Sequence, residues 1–378
     1  TVWPVFYIPG LANIALGTQA YGSRTQGYDV TNKNDAFFLE GTYQINDQLD
    51  LTVGVRRTND TREFTRWQTL YGGAFDPTYL CPGMPTIDVG GGTLVPLSDR
   101  CYQEVEYSET SPRAILGYQY NDNVLLYGSY SVGYSSGGFN QDIAMRAYLP
   151  ENSDNLEFGA KTTLRDGKVR LNVTAFHNSY ENQQITVGRI VRGQPTADLI
   201  NAQEATLIGL EVELLAQLSE SWAITMVFGH LDGNYDKFLV EDNIYDPVTL
   251  EESIVIRDLS GIGYGNDGPT DTFDISVIYT KSLPSGGDVV SQLGLTRKDD
   301  QYFTLENTPT SFTPAYSLLD GRVSWNLADG RTTLTLWGTN LTDKDYIYNM
   351  LDLAGDEQVG GIDPGLGFVA DYWGQPRH

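Results

Sequence analysis

The chain has 378 residues, with 24 Lys and Arg against 49 Asp and Glu, for a formal net charge of −25. That charge repels phosphate backbones and excludes nucleic acid as a partner. No stretch approaches eighteen consecutive apolar residues, so a membrane-spanning helix is excluded. The acidity reads first as solvated loops, with divalent-cation bridging to lipopolysaccharide or attraction of a cationic ligand as sharper alternatives.

Twelve strands are predicted in six pairs around short polar turns. Ala36–Ile45 and Leu49–Arg57 flank Asn46–Gln48, and Ser111–Tyr120 and Val124–Tyr134 flank Asn121–Asn123. Leu156–Leu164 and Val169–Phe176 flank Arg165–Gly167, and Leu207–Leu218 and Trp222–His230 flank Ser219–Ser221. Thr272–Ser282 and Val289–Arg297 flank Pro284–Gly287, and Tyr316–Asn326 and Thr332–Asn340 flank Ala328–Gly330. Asn, Asp and Gly in these turns supply the left-handed backbone angles of tight hairpins.

Each strand alternates. Leu49, Leu51, Val53 and Val55 share one face, and Asp50, Thr52, Gly54 and Arg56 share the other. By the same rule Val124, Leu126, Val132, Leu334 and Leu336 belong toward lipid, and Ser129, Ser131, Glu211 and Glu213 toward a lumen. Between the pairs lie long connections at Arg66–Glu104, Ser136–Asp154, Asn182–Asn201, Asp232–Asp271, Asp300–Pro314 and Asn349–Trp373. Short turns at one end, long loops at the other and one apolar face per strand predict a transmembrane antiparallel β-barrel in a bacterial outer membrane. A mean hydropathy of −0.30 fits, because every second barrel residue is polar.

The predicted chain starts in one long-loop segment, Thr1–Asn34, and ends in another, Asn349–His378. Bacterial barrels carry both termini on the short-turn side, so these strands are expected to be an open part of a wider barrel. Ala36–Ile45 and Thr332–Asn340 should then not pair with each other. Thr1 begins no export signal, which places any such signal upstream or already removed.

Cys81 and Cys101 are the only two cysteines and share one long connection. Such a pair in an oxidising compartment predicts a disulfide, worth about 3 kcal/mol for a loop of that size. No His lies between them, so a zinc site there lacks ligands.

Several stretches in order resemble TonB-dependent outer-membrane receptors, specifically the C-terminal part of their barrel. Tyr127–Asn140 resembles a family strand ending in Gly137-Gly138-Phe139-Asn140. Pro150–Lys161 resembles the following strand entry, with Glu157 and Gly159 at its motif positions. Asn201–Glu213 resembles a strand carrying Gly209 and Glu211. Asn340-Leu341 opens a segment like the penultimate strand's exit, and Gly374–Arg377, with Pro376 and Arg377, looks like the opening of the last strand. The resemblance implies a 22-stranded barrel around an N-terminal plug, with residues 1–378 covering approximately strands 10 to 21. It also implies active import of a ferric siderophore, energised through the plug by the TonB–ExbB–ExbD complex. Importers of vitamins or oligosaccharides, a passive porin, and a barrel enzyme or adhesin are the competing readings.

Chemistry-bearing candidates are few, and no cofactor or metal is expected. His177 and Ser179 share a strand face but lack any companion of a catalytic triad. The acidic stretch Asp232–Asp271 has ten carboxylates without calcium-loop spacing, so a solvated loop is set against a calcium site. Trp3, Tyr7, Trp67, Tyr71, Tyr79 and Tyr148 are candidates for a ligand vestibule, or for interfacial anchors.

Overall fold

The computed structural model of the protein describes residues 23–71, 86–88, 94–96, 100–140, 147–191, 194–245, 252–264, 268–305, 307–353 and 368–377. All twelve predicted strands are present, most of them longer than predicted. They are β1 (Ser23–Gln44), β2 (Leu49–Tyr71), β3 (Arg100–Asn121), β4 (Val124–Ser135), β5 (Glu151–Leu164) and β6 (Val169–Val191). The remainder are β7 (Gln194–Gln217), β8 (Trp222–Lys237), β9 (Asp271–Ser282), β10 (Asp288–Lys298), β11 (Tyr316–Asn326) and β12 (Thr333–Gly338). They form one antiparallel sheet in chain order. β1 and β12 are its two edges, and the barrel is not closed, as the topology argument required.

By its internal contacts the chain divides into two compact units. One comprises Thr1–Asp35, Asn59–Tyr107 and Gly138–Ala147; the other comprises Ala36–Thr58, Ser108–Gly137 and Tyr148–His378.

In the second unit the pairing register carries two faces from strand to strand. Ser129 lies opposite Glu157, Asn155 opposite both Ser131 and Asn178, and Asn172 opposite Glu213. Val227 opposite Asp274, Asp274 opposite Thr296, and Arg322 opposite Gln292 and Trp337 continue that polar face. The other face runs through Leu126, Ala160, Val173, Val212, Phe228, Phe273 and on to Leu295, Leu319, Val323 and Leu336. The residues predicted for lipid and for lumen therefore separate onto opposite faces without exception. At the short-turn end the apolar face carries Trp222 against Tyr279 at a ring separation of 4.6 Å, with Trp325 and Tyr120 exposed nearby in their strands. Amphipathic rings at that level are an interfacial girdle.

The turns work in two ways. Arg165, Asp166, Gly167, Gly286, Gly287 and Gly330 have positive φ, as predicted for tight hairpins. Asn46, Asn121 and Ser219 instead accept hydrogen bonds from backbone N–H groups two or three residues on. Asp329 accepts from the Thr332 hydroxyl and from the N–H groups of Arg331 and Thr332, which holds its carboxyl below the usual carboxylate range.

The long connections need correction. Asn182–Asn201 is mostly ladder, because β6 and β7 stay in register from Val169–Ala216 to Val191–Gln194. At about 3.3 Å per residue these 23- and 24-residue strands are more than twice the length a bilayer requires. The acidic stretch contains the upper end of β8 and a hairpin of Leu239–Tyr245 with Glu252–Asp258. Its root packs into a small core in which Tyr235 and Phe238 are almost wholly buried beside Leu259, Tyr264 and Leu305. Tyr235 stacks on Tyr264 at 4.6 Å. β12 is shorter than predicted because Asn340, with φ 47°, leaves extended geometry.

Two outcomes follow for the intact protein folded into lipid vesicles. Leu293 sits midway along β10 on the apolar face, so Leu293→Arg should cost ~2–4 kcal/mol in a folding titration followed by tryptophan fluorescence. Gln292→Arg, one residue away on the polar face, should cost a fraction of that. Equal costs would overturn the assignment of faces.

Candidate functional site

The polar face is built by aromatic rings laid across glycines of the neighbouring strand. Tyr127 crosses Gly159, where an added Cβ would lie 2.3 Å from the ring. Its hydroxyl donates to Glu157 Oε1 at 2.6 Å and lies 3.2 Å from Thr174 Oγ1, while Lys161 Nζ stands 5.5 Å from the ring centre. Phe176 crosses Gly209 in the same way, with 2.1 Å left for a Cβ. Asn172 donates to Glu213 at 3.1 Å, and Glu211 lies opposite Thr174. The motif residues Gly159 and Gly209 are thus ring seats, Glu157 is tied to Tyr127, and Glu211 lies on the same polar face.

Further along the wall a concavity of about 570 Å³ is lined by the polar face of β9 to β12. Its carboxylates are engaged: Asp274 accepts from Thr296 at 2.6 Å, and Asp320 from the Asn340 N–H at 2.8 Å. Arg322 donates through Nε to Ser324 Oγ at 3.2 Å and forms no ion pair among the described residues. Trp337, opposite Arg322, is 62% exposed. A guanidinium fork with open donors beside an exposed indole suits a carboxylate or a planar polar group. Neither residue stands out in the sequence.

The C-terminal motif residues fasten chain ends. Asn340 donates to the carbonyls of Lys344 and Gln375 and accepts from the Lys344 N–H. Leu341 N–H donates to Leu319, and the Arg377 N–H to Asp343. Pro376 is exposed. Gly374 lies under the Tyr346 ring, which stacks on Tyr316 at 4.7 Å.

Near the long-connection end, Gly137 and Gly138 are buried. Within the first unit, Phe139 stacks on Phe64 at 5.5 Å and Phe64 on Tyr28 at 6.0 Å, leaving Phe64 4% exposed. Asn140 follows, partly buried. Glu63 pairs with Lys33 and raises its pKa, first through their hydrogen bond. Tyr148 is partly buried. Trp67 and Tyr71 lie in the upper end of β2, whereas Trp3, Tyr7, Tyr79 and Cys81 fall outside the described residues. Cys101 is disulfide-bonded. His230 Nδ1, midway along β8, lies 2.7 Å from Oδ1 of Asp271, the first residue of β9, and His177 lies opposite Leu156 and Ile208. Among the described residues no cluster of His, Cys, Asp or Glu is arranged to hold a metal.

Residues 7–341 match the family described as TonB dependent receptor-like, beta-barrel. The chain is 20% identical over 206 residues to the ferric-pyoverdine 358 receptor of Pseudomonas putida, covering 54% of this chain and 22% of that protein. Its fold is similar to the ferric yersiniabactin uptake receptor of Yersinia pestis, with TM-score 0.68, 16% identity, and 94% of this chain and 45% of that one covered. A siderophore receptor of Acinetobacter baumannii is similar at TM-score 0.61 and 16% identity, over 93% of this chain and 42% of that one. The chain thus spans about a fifth of the curated relative and less than half of each of these two structures. With its alternating wall, girdle and two-sided loop pattern, the chain belongs to the TonB-dependent receptor β-barrel family of the Gram-negative outer membrane.

Proposed function

We propose that the whole protein imports a ferric siderophore across the outer membrane, gated by ligand and energised by TonB–ExbB–ExbD. The observation that carries this reading is the width of the wall. Twelve strands in chain order do not close, so the complete barrel encloses a lumen that leaks unless it is filled. A plug domain and further strands, supplied by polypeptide beyond these residues, meet that need. The concavity at Arg322 and Trp337 is a seat for one polar part of such a plug. Relatives named as siderophore receptors favour an iron chelate over an oligosaccharide or vitamin. No catalytic role is assigned to His177 or Ser179. At the mouth, Trp3, Tyr7, Trp67, Tyr71, Tyr79 and Tyr148 are the vestibule candidates.

In cells stripped of other iron receptors, the full-length protein should accumulate radioactive iron from one chelate class among catecholate, hydroxamate and carboxylate probes. A protonophore should abolish that uptake. Uptake indifferent to the protonophore would identify a passive porin, and uptake of none of the chelates would turn the reading toward other nutrients.

Cys101 is bonded and the chain has two cysteines, so we infer that its partner is Cys81. Iodoacetamide should leave the folded protein unmodified and add two groups after reduction. Labelling of either thiol without reductant would refute the bridge.

A further inference from the structure

The resemblance singles out Asn201, yet nothing in the wall requires an asparagine there. Its surroundings do. Asn201 Oδ1 accepts the Leu149 N–H at 2.8 Å, and its Nδ2 donates to the Leu149 carbonyl at 3.0 Å and the Asn182 carbonyl at 2.7 Å. Two residues on, Gln203 repeats the pattern on another segment. Its Oε1 accepts the Leu239 N–H at 2.9 Å, and its Nε2 approaches the Leu239 carbonyl at 3.4 Å. Gln184, directly opposite Asn201 in the register, donates through Nε2 to the carbonyls of Ser136 and Leu149, both at 3.1 Å. Its own N–H donates to Glu151 at 2.7 Å.

A primary amide carries a carbonyl and an N–H in one plane, the same pair of groups that a neighbouring strand presents. Asn201 and Gln203 each satisfy both backbone groups of one residue, which is what a ladder partner does. The bound residues are Leu149, where the connection after β4 re-enters the sheet, and Leu239, where the acidic hairpin leaves β8. Leu149 is 50% exposed and Leu239 41% exposed, so these side chains add little packing at either point.

We propose that Gln184, Asn201 and Gln203 are positioning residues: a belt of side-chain amides that ties Ser136, Leu149 and the root of the acidic hairpin at Leu239 to the β6–β7 hairpin. Ser136, Leu149 and Leu239 are then each held at a fixed place against β6 and β7 at the long-connection end. The proposal rests on the receptor reading only in calling that end the ligand's mouth.

Amide hydrogen exchange on the full-length protein in detergent micelles, with no ligand added, tests it. Gln203→Ala should speed exchange at the Leu239 amide about tenfold, the loss of one ordinary hydrogen bond, and leave Leu149 unchanged. Asn201→Ala should do the converse. Asn201→Asp and Gln203→Glu replace the donating N–H with a carboxylate oxygen that the facing carbonyls repel, so each should lose protection at its own amide at neutral pH and regain it, relative to the intrinsic exchange rate, as the pH falls and the carboxyl is protonated, which a general loosening does not do. Heat-modifiable migration on a gel confirms that each variant is folded, and the two acid variants carry the test if an alanine variant is not. Unchanged exchange at Leu239 and Leu149 overturns the belt, as does a joint rise at both amides in either single variant. Because no ligand is used, failure here is distinct from failure of the import reading.

Discussion

Hydrocarbon offers no hydrogen-bond partners, and most of this structure follows from that. Each backbone N–H and C=O left unpaired in a bilayer costs several kcal/mol. Strands that cross must therefore stand in an unbroken ladder, and here the register passes from Arg113–Ser131 through Asn326–Thr333 without a missing strand. Consecutive pairing by short turns is the simplest way to guarantee it. The period of two is then imposed rather than chosen. Once each strand is held by neighbours on both sides, every second side chain meets lipid and the rest meet the lumen.

That alternation also explains where the wall spends its glycines. A luminal face crowded with long polar and aromatic groups cannot pack if every site has a Cβ. Tyr127 and Phe176 lie flat because Gly159 and Gly209 leave room on the next strand. Tyr127 then reaches Glu157 with its hydroxyl and keeps a carboxylate partnered on a wet but narrow surface. A glycine in a strand ordinarily weakens it. Here each glycine is the seat for a ring from the adjacent strand, so the pair must be read across the ladder and not along the chain.

The twelve strands were legible because three signals coincide there: alternation, turn residues and girdle aromatics. The register was legible for the same reason, since a slip of one residue puts Glu211 and Glu213 in lipid. Above the membrane the signals fail together. Beyond Glu181 and Glu204 the β6–β7 hairpin has no lipid to face, and Ile185 and Ala202 are instead buried in the small core at the root of the acidic stretch, so no regular alternation marks the strands and a paired hairpin reads as a loop. The acidic stretch misled in a similar way. Ten carboxylates suggested a solvated loop, but Tyr235, Phe238 and Tyr264 bury its root and part of it is ladder. Arg322 and Trp337 were not marked by residue type, and their proximity shows only once β11 and β12 are set in register across their turn. Residue type alone nominates the vestibule aromatics, and it carries no information on where a ring is placed.

A division of labour emerges from the physics of the two solvents. Inside the bilayer, backbone pairing is compulsory, so identity is carried by the wall and its motif residues, and variation there is costly. Outside it, water satisfies backbone groups as well as a neighbour does, and segments are held only where side chains make it worthwhile. Asn201, Gln203 and Gln184 stand at that boundary, with side-chain amides doing for Leu149 and Leu239 what the ladder does below. Such ties do not depend on what the segment above them contains. A barrel built this way can exchange the tips of its outer segments while keeping their roots in place, and that is the condition a receptor needs if one wall is to serve different ligands.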